Sequence, residues 1–374
     1  MSFRYGSGIV KPGFNPLGAQ TTTILYELYS WGYNNNGQLG LGDTTNRSSP
    51  NQVGAGTYWS NITGCTGSSI AVKNNGTLWS WGQNQYGQLG LGNTTYYSSP
   101  KQVGALTTWL SLASGKYHVI AIKTDGTLWS WGMNTKGELG HNNTTYRSSP
   151  VQVGALTTWL SVACGAYHTI AITTGGAMWS WGFNYAGGLG LNNIIDRSSP
   201  VQIGALTTWS KISGGYGHSL AIKTDGTLWS WGRNSFGTLG LGNTTYYSSP
   251  KQVGALTTWS AISADQISAK AVTTNGSIWA WGRNHLGQLG LNNTTVYSSP
   301  VQIGALTNWL KVVSGQNHTI ATKTDGTLWS WGNNNTGQLG LNGGGTTTSS
   351  PNQVGSLTTW LTIAAGQYHT LALG

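Results

Sequence analysis

Short runs of alternating apolar and small polar residues recur along the chain, separated by clusters rich in Gly, Asn, Thr and Pro. One unit shows the pattern. Residues 109–113 form a short apolar run closed by Gly115, and residues 118–123, from His118 to Lys123, form a β-branched run. Thr124, Asp125 and Gly126 follow, and Asp-Gly tolerates the positive φ that a tight hairpin needs. Residues 127–131 alternate large apolar with small polar side chains, the period-2 pattern of a strand. A Gly/Asn-rich loop then runs from Gly132 to Gly140, Ser148–Pro150 acts as punctuation, and residues 151–153 make a fourth run. No stretch of ten residues carries a helical period. The pattern predicts four short antiparallel strands per unit, here A to D.

The unit repeats. The signature W-G-x-N-x-x-G-x-L-G occurs seven times, with its tryptophan at Trp31, Trp81, Trp131, Trp181, Trp231, Trp281 and Trp331, a spacing of fifty residues each time. A period of this size with several strands per copy is the mark of a propeller. The repeat begins mid-unit at residues 25–31, which match strand C, and stops mid-unit at 369–373, which match strand B. The two ends of the chain should therefore share one blade, which removes open sheet edges. The expected fold is an all-β, seven-bladed β-propeller over residues 24–374. Residues 1–23 read as an extended N-terminal arm: Gly6, Gly8, Pro12, Gly13, Pro16 and Gly18 interrupt regular structure, while Phe3, Tyr5 and Phe14 supply anchors for docking.

The run W-S-W-G-x-N-x-x-G-Q-L-G-L-G, followed by G-x-x-H-x-x-A-I-x-x-D-G, resembles the RCC1-like (regulator of chromosome condensation) repeat family, over about residues 24–374. The resemblance implies the propeller. It implies a range of functions, since the family includes a nucleotide exchange factor for a small GTPase that also docks on chromatin, a bacterial β-lactamase inhibitor, and binding proteins of environmental bacteria and phages. Fold alone does not choose among them.

Composition narrows the class. Only 7% of residues are charged, while 20 Trp and 17 Tyr can fill a large core. The net charge of +10 raises a nucleic-acid reading. The 18 basic residues are dispersed, however, and Lys123, Lys223 and Lys323 read as solvated residues beside Asp125, Asp225 and Asp325. Nucleic acid is therefore not expected as a partner. Cys65 and Cys164 hold different repeat positions in non-adjacent blades, so no disulfide is expected. No segment reads as a signal peptide or membrane span.

Candidate chemistry is sparse. His118, His168, His218, His318 and His369 share one repeat position, replaced by Ser68 and Ser268 in two blades. Zinc ligands must nearly touch, whereas packed sheets stand about 10 Å apart. These rings read as structural, bridging backbone groups at the start of strand B, and no metal or cofactor is expected. All 20 tryptophans fall at three repeat positions and read as inter-blade core. Glu27 and Glu138 are the only glutamates, and no carboxylate pair, nucleophile elbow or phosphate loop stands out. The chain reads as a non-enzyme.

Comparison of the repeats with one another gives the binding signal. The A–B and C–D loops emerge on one face of an antiparallel blade, and they carry the positions that vary. The candidate binding residues there are Tyr33, Tyr86, Tyr117, Lys136, Tyr167, Phe183, Tyr185, Tyr216, Arg233, Phe236, Arg283 and His285. Such types are enriched in recognition surfaces. Varied positions before strand D, such as Tyr96, Tyr146 and Tyr246, read as outer rim. The B–C and D–A connections are repetitive and read as scaffold. The sequence thus predicts a non-catalytic interaction platform: a phage or virion structural protein, either head decoration or tail/fibre component, with virion proteins met through the arm and a host-surface ligand as a second partner. The alternative is a soluble inhibitor-like or exchange-factor-like module of a bacterium.

Overall fold

The computed structural model describes residues 26–56 and 58–374. The anchors Phe3, Tyr5 and Phe14 lie outside the described residues. Within them the protein is an all-β propeller of seven four-stranded sheets. In one blade, strands A to D are Trp109–Ser114, His118–Lys123, Leu128–Gly132 and Arg147–Gln152. The last sheet joins Thr362–Ala365 and His369–Leu373 to Leu28–Gly32 and Arg47–Gln52. Leu28 pairs with Leu373 and Gly32 with His369, so the two ends of the repeat region close the ring as one blade. We number the blades 1 to 7 from the one that begins at Trp59.

The B–C hairpin forms as expected: the Gly126 N–H donates to the Lys123 carbonyl at 3.0 Å and Gly126 has φ 78°. Strand D differs from expectation. Ser148–Pro150 lies inside the strand, where the pairing register shifts between Arg147 and Val151. Strand D is the outer edge of its sheet, so a residue without an N–H costs no ladder bond, and a bulge accommodates it.

The core lies between blades. One apolar cluster unites Ile70, Val72 and Leu78 of blade 1 with Trp109, Val119 and Trp131 of blade 2. The ring of Trp131 meets that of Trp109 edge-on at 5.9 Å, and its Nε1 donates to the Gln88 carbonyl of the preceding blade at 3.0 Å. Burying one such indole removes roughly 150–250 Å² from water, worth about 4–6 kcal/mol. The third tryptophan position departs from the all-core reading. Trp129 is half-buried, and the Nζ of Lys123 lies 3.4 Å from its ring centroid. Lys323 covers Trp329 at 3.7 Å in the same way. Lys123 and Lys323 are thus buried side chains packed on indoles, not solvated turn residues, and desolvation lowers both pKa values.

Four of the five histidines bond to side chains of the next blade, not to backbone. His168 Nε2 lies 2.9 Å from Ser219 Oγ, and His369 Nε2 lies 2.9 Å from Ser69 Oγ. Ser69 Oγ in turn donates to the Gln38 carbonyl, which also accepts Trp81 Nε1 at 2.9 Å. With its one hydrogen committed, the hydroxyl can only accept, which places the imidazole proton on Nε2. A Cβ at Gly115, Gly165, Gly215, Gly315 or Gly366 would overlap the histidine ring three residues on. Where the histidine is replaced, the glycine is replaced too: Cys65 accompanies Ser68, and Asp265 accompanies Ser268. In blade 5 the vacated space holds a buried ion pair. Lys270 Nζ lies 2.7 Å from Asp265 Oδ2, and the Asp265 carboxylate also accepts the backbone N–H of Ile267 at 2.7 Å. Cys65 and Cys164 are free.

Candidate binding face

The A–B and C–D loops meet on one face because their backbones are bonded together. The Phe183 N–H donates to the Tyr167 carbonyl at 2.8 Å, and Arg233 donates to Gly217 in the same register. The preceding glycine makes this approach feasible: Gly182 has φ 101°, and a Cβ there would meet the Tyr167 carbonyl at 2.6 Å. Each C–D loop is then clamped by the buried asparagine of W-G-x-N. Asn134 Nδ2 donates to the Asn143 and Thr145 carbonyls at 2.9 and 3.1 Å, and its Oδ1 accepts the Leu139 N–H at 2.9 Å. The varied side chains therefore project from rigid loops, and little ordering entropy remains to be lost on binding.

Eight of the predicted residues join into one belt over blades 1 to 4. Tyr86 packs on Tyr117 with centroids 4.9 Å apart. Lys116 Nζ lies over both Tyr117 and Tyr167 and donates to the Tyr167 hydroxyl at 3.0 Å. Tyr167 meets Phe183 and Tyr216 edge-on at 6.2 and 5.6 Å. Lys136 Nζ lies 5.4 Å from the Phe183 centroid and 3.6 Å from Asp196. Phe183 stacks on Tyr185, whose side chain is 72% exposed, and Arg233 covers Tyr216 at 5.6 Å. Phe236, Arg283 and His285 form a second group, with the guanidinium 5.3 Å from the Phe236 centroid and the imidazole edge-on to the same ring. Tyr33 stands apart, paired with Tyr368 of its own blade. Blade 6 contributes Asn335 and Thr336 in place of aromatic rings.

Two residues assigned to the rim belong to this face. Tyr146 meets Tyr86 at 5.6 Å, and Tyr246 lines a cavity of about 340 Å³ with Phe183, Tyr185, Tyr216 and Arg233. The asparagine clamp on the carbonyl one residue earlier, Thr145 or Thr245, folds these segments back over the loop. Lys116 and Tyr368 vary among the repeats and were legible as candidates; the fold-back of Tyr146 and Tyr246 had no sequence signal. At the hub, the seven A–B loops surround a further cavity of about 300 Å³. Among the described residues no cluster of three His, Cys, Asp or Glu side chains could hold a metal ion. Among the same residues no helix is long and apolar enough to cross a membrane.

Similar architecture occurs in solved structures. Human WBSCR16 superposes with a TM-score of 0.82 at 20% identity, covering 93% of this chain and 98% of its own. Prp20p of Saccharomyces cerevisiae, studied for its binding to Gsp1p and histones, gives 0.81 at 18% identity over 94% and 92% of the two chains. Yeast RCC1 (Prp20) bound to Kap60 gives 0.82 at 18% over 100% and 96%. At these identities the likeness shows the fold. A search of curated protein sequences finds no match. The model of the regulator of chromosome condensation (RCC1) repeat matches seven segments, 27–68, 75–122, 125–172, 175–222, 225–264, 275–322 and 325–373. With seven such repeats closed into one ring, the chain belongs to the RCC1 repeat family.

Proposed function

We propose that this propeller is a non-catalytic platform that holds another protein on the face formed by its A–B and C–D loops. The observation that carries the reading is the belt of aromatic rings, four of them covered by a cation, on loops clamped by buried asparagines. Exposed ring area with few rotatable bonds, set beside Arg, is what dominates binding energy at protein interfaces. That Prp20p, a propeller of the same fold, binds Gsp1p and histones supports a protein as the partner class. We further place the platform on a phage or virus-like particle as a head-decoration or tail component. The low charge of the chain, 7% of residues, and its Gly-, Asn- and Thr-rich loops support that setting.

The test has two arms. Partners captured from the source by wild-type protein are identified, and their affinity is compared with that of the Arg233→Ala/Phe236→Ala/Arg283→Ala variant. A loss of about 2 kcal/mol, roughly thirtyfold in Kd, is expected, with thermal unfolding unchanged. Undiminished binding overturns the face. Mass spectrometry of purified particles checks the setting, and particles without the chain overturn it while leaving the platform reading intact.

A further inference from the structure

Successive repeats are nearly identical, so a junction that lacks several side chains at once stands out. Between blades 3 and 4 three positions are small. Ala186 stands where blades 1, 2 and 4 have Tyr86, Lys136 and Phe236. Gly217 stands where blades 2, 3 and 7 have Tyr117, Tyr167 and Tyr368. Gly188 stands where five blades have Gln or Glu. The other junctions show what is missing. Tyr117 packs on Tyr86 of the preceding blade with centroids 4.9 Å apart, and residues 217 and 186 hold the corresponding places. Gln88 Oε1 accepts the N–H of Tyr86 at 2.9 Å, and Glu138 Oε2 accepts that of Lys136 at 2.7 Å. The same bond forms in blades 5, 6 and 7. Gly188 leaves the Ala186 N–H without that acceptor. A pair of rings and a carboxyl or carboxamide are thus absent together, and Ala186, Gly188 and Gly217 line a cavity of about 340 Å³ in their place.

The rest of the lining selects the occupant. Phe183, Tyr185, Tyr216 and Tyr246 present aromatic surface, against which another ring packs favourably edge-on or offset. Arg233 is the one charged residue of the lining. Its Nε donates to Ser235 Oγ at 3.1 Å, which fixes the guanidinium, and among the described residues it forms no salt bridge. Asp196, on the blade 3 loop, is engaged elsewhere: its carboxylate accepts the Asn184 N–H at 2.7 Å and lies 3.6 Å from Lys136 Nζ. An uncharged amide would satisfy the Ala186 N–H, but a carboxylate also answers the guanidinium, and charge-assisted bonds are about twice as strong as neutral ones.

We propose that this cavity is the anchor point of the face: it takes an aromatic side chain of the partner protein, with an Asp or Glu beside it in the partner's chain whose carboxylate bonds the Ala186 N–H and Arg233. The ring fills the place that the Tyr86–Tyr117 pair fills one junction earlier in the ring of blades, and the carboxylate replaces the one that Glu138 supplies from within blade 2. A ring seated in a preformed pocket beside Arg is the pattern of residues that dominate interface energy. The inference rests on the reading of this face as protein-binding and adds the chemistry the partner must bring.

The probe is acetyl-Phe-Glu-amide, titrated into the isotope-labelled full chain and followed by NMR, with acetyl-Phe-Gln-amide and acetyl-Ala-Glu-amide as controls. The Ala186 amide proton should move downfield and saturate, with a Kd about tenfold lower for Phe-Glu than for either control. Arg233→Ala should erase the preference for Glu over Gln. Gly217→Tyr should abolish binding by restoring the tyrosine of the other repeats; a Cβ there meets nothing nearer than the Arg233 Cβ at 3.6 Å, so thermal unfolding should be unchanged. No saturable shift, equal affinity for the three peptides, or binding undiminished in Gly217→Tyr overturns the proposal. Captured partner then separates the two readings. A partner weakened by the Arg233/Phe236/Arg283 triple substitution but not by Gly217→Tyr overturns the anchor and leaves the platform standing. Peptide binding at the cavity, with a partner indifferent to both variants, overturns the platform and with it the partner as the source of the ring.

Discussion

Mild acid should unfold this propeller, and the buried histidines set the size of the effect. Burial pushes the imidazoles of His118, His168, His318 and His369 down to about 3, and that of His218 to about 4. The cause is desolvation: each ring is enclosed between two blades and bonds at most to a hydroxyl, and at His218 the nearby Asp265 carboxylate offsets only part of that penalty. In the unfolded chain the same groups titrate near 6.5. Between the folded and unfolded values, the unfolded chain binds protons that the native one refuses, so stability is complete above pH 6.5 and falls as pH drops. At pH 5 each histidine costs about 2 kcal/mol, from about 1.4 kcal/mol per unit over about 1.5 units. Five together cost about 10 kcal/mol, which is comparable to the total stability of a typical domain. The turn carboxylates contribute at lower pH, because hydrogen bonds from Thr127 and its counterparts hold Asp125, Asp225 and Asp325 below their ordinary range, whereas burial raises Glu138 and offsets a small part of the loss. The assay is denaturant unfolding from pH 8 to 5, with proton uptake measured directly. Gly315→Cys/His318→Ser, which copies the Cys65/Ser68 pair of blade 1, should remove one proton from the uptake and about 2 kcal/mol from the loss. A stability flat from pH 7 to 5, or an uptake unchanged in that variant, would refute the reasoning.

Other perturbations follow from the same junctions. Gly115→Ala forces a methyl against the His118 ring and the Gly165 carbonyl and should cost about 1–3 kcal/mol; adding His118→Ser should recover the part due to the ring, a coupling that a double-mutant cycle in urea reads directly. Asp265→Ala leaves the Lys270 ammonium buried without its counter-charge and should cost about 3–5 kcal/mol, seen as a lowered Tm. His218 Nε2 is buried without a partner, because Ala269 stands where the blades facing the other four histidines have Ser or Thr. Ala269→Ser should therefore stabilise by about 1 kcal/mol in chemical denaturation.

Much of the candidate face was legible in the sequence because propeller blades are antiparallel and identical in period. Once the strands were counted, alternation alone put residues 116–117 and 133–136 on the same side. Which side chains touch was not legible. The belt joins Tyr86 of one blade to Tyr117 of the next, and the second group joins Phe236 to His285, contacts set by the angle between neighbouring sheets. Tyr146 and Tyr246 were misplaced for a related reason: a local pattern cannot show that Asn134 or Asn234 holds the carbonyl just before the tyrosine and so pulls the segment back over its own loop. The lysines beside the B–C turns looked solvated because charge and a turn signal usually coincide with water, yet the indole beside them offers a better surface for the long aliphatic stem and its ammonium.

The sequence by itself determined the number of blades, the strands within each, the closure through a shared blade and the invariant glycines. All of these follow from short-range φ/ψ requirements and a fifty-residue period, which need no knowledge of distant contacts. Only the tertiary structure decided what each repeated residue does at the junctions between blades. The pairing of Gly115 with His118, the relay from imidazole through hydroxyl to a neighbouring carbonyl, and the replacement of that relay by Asp265 and Lys270 are all answers to burial. A polar group between two sheets must find its partner in whatever the next blade presents, and that partner lies about fifty residues away along the chain.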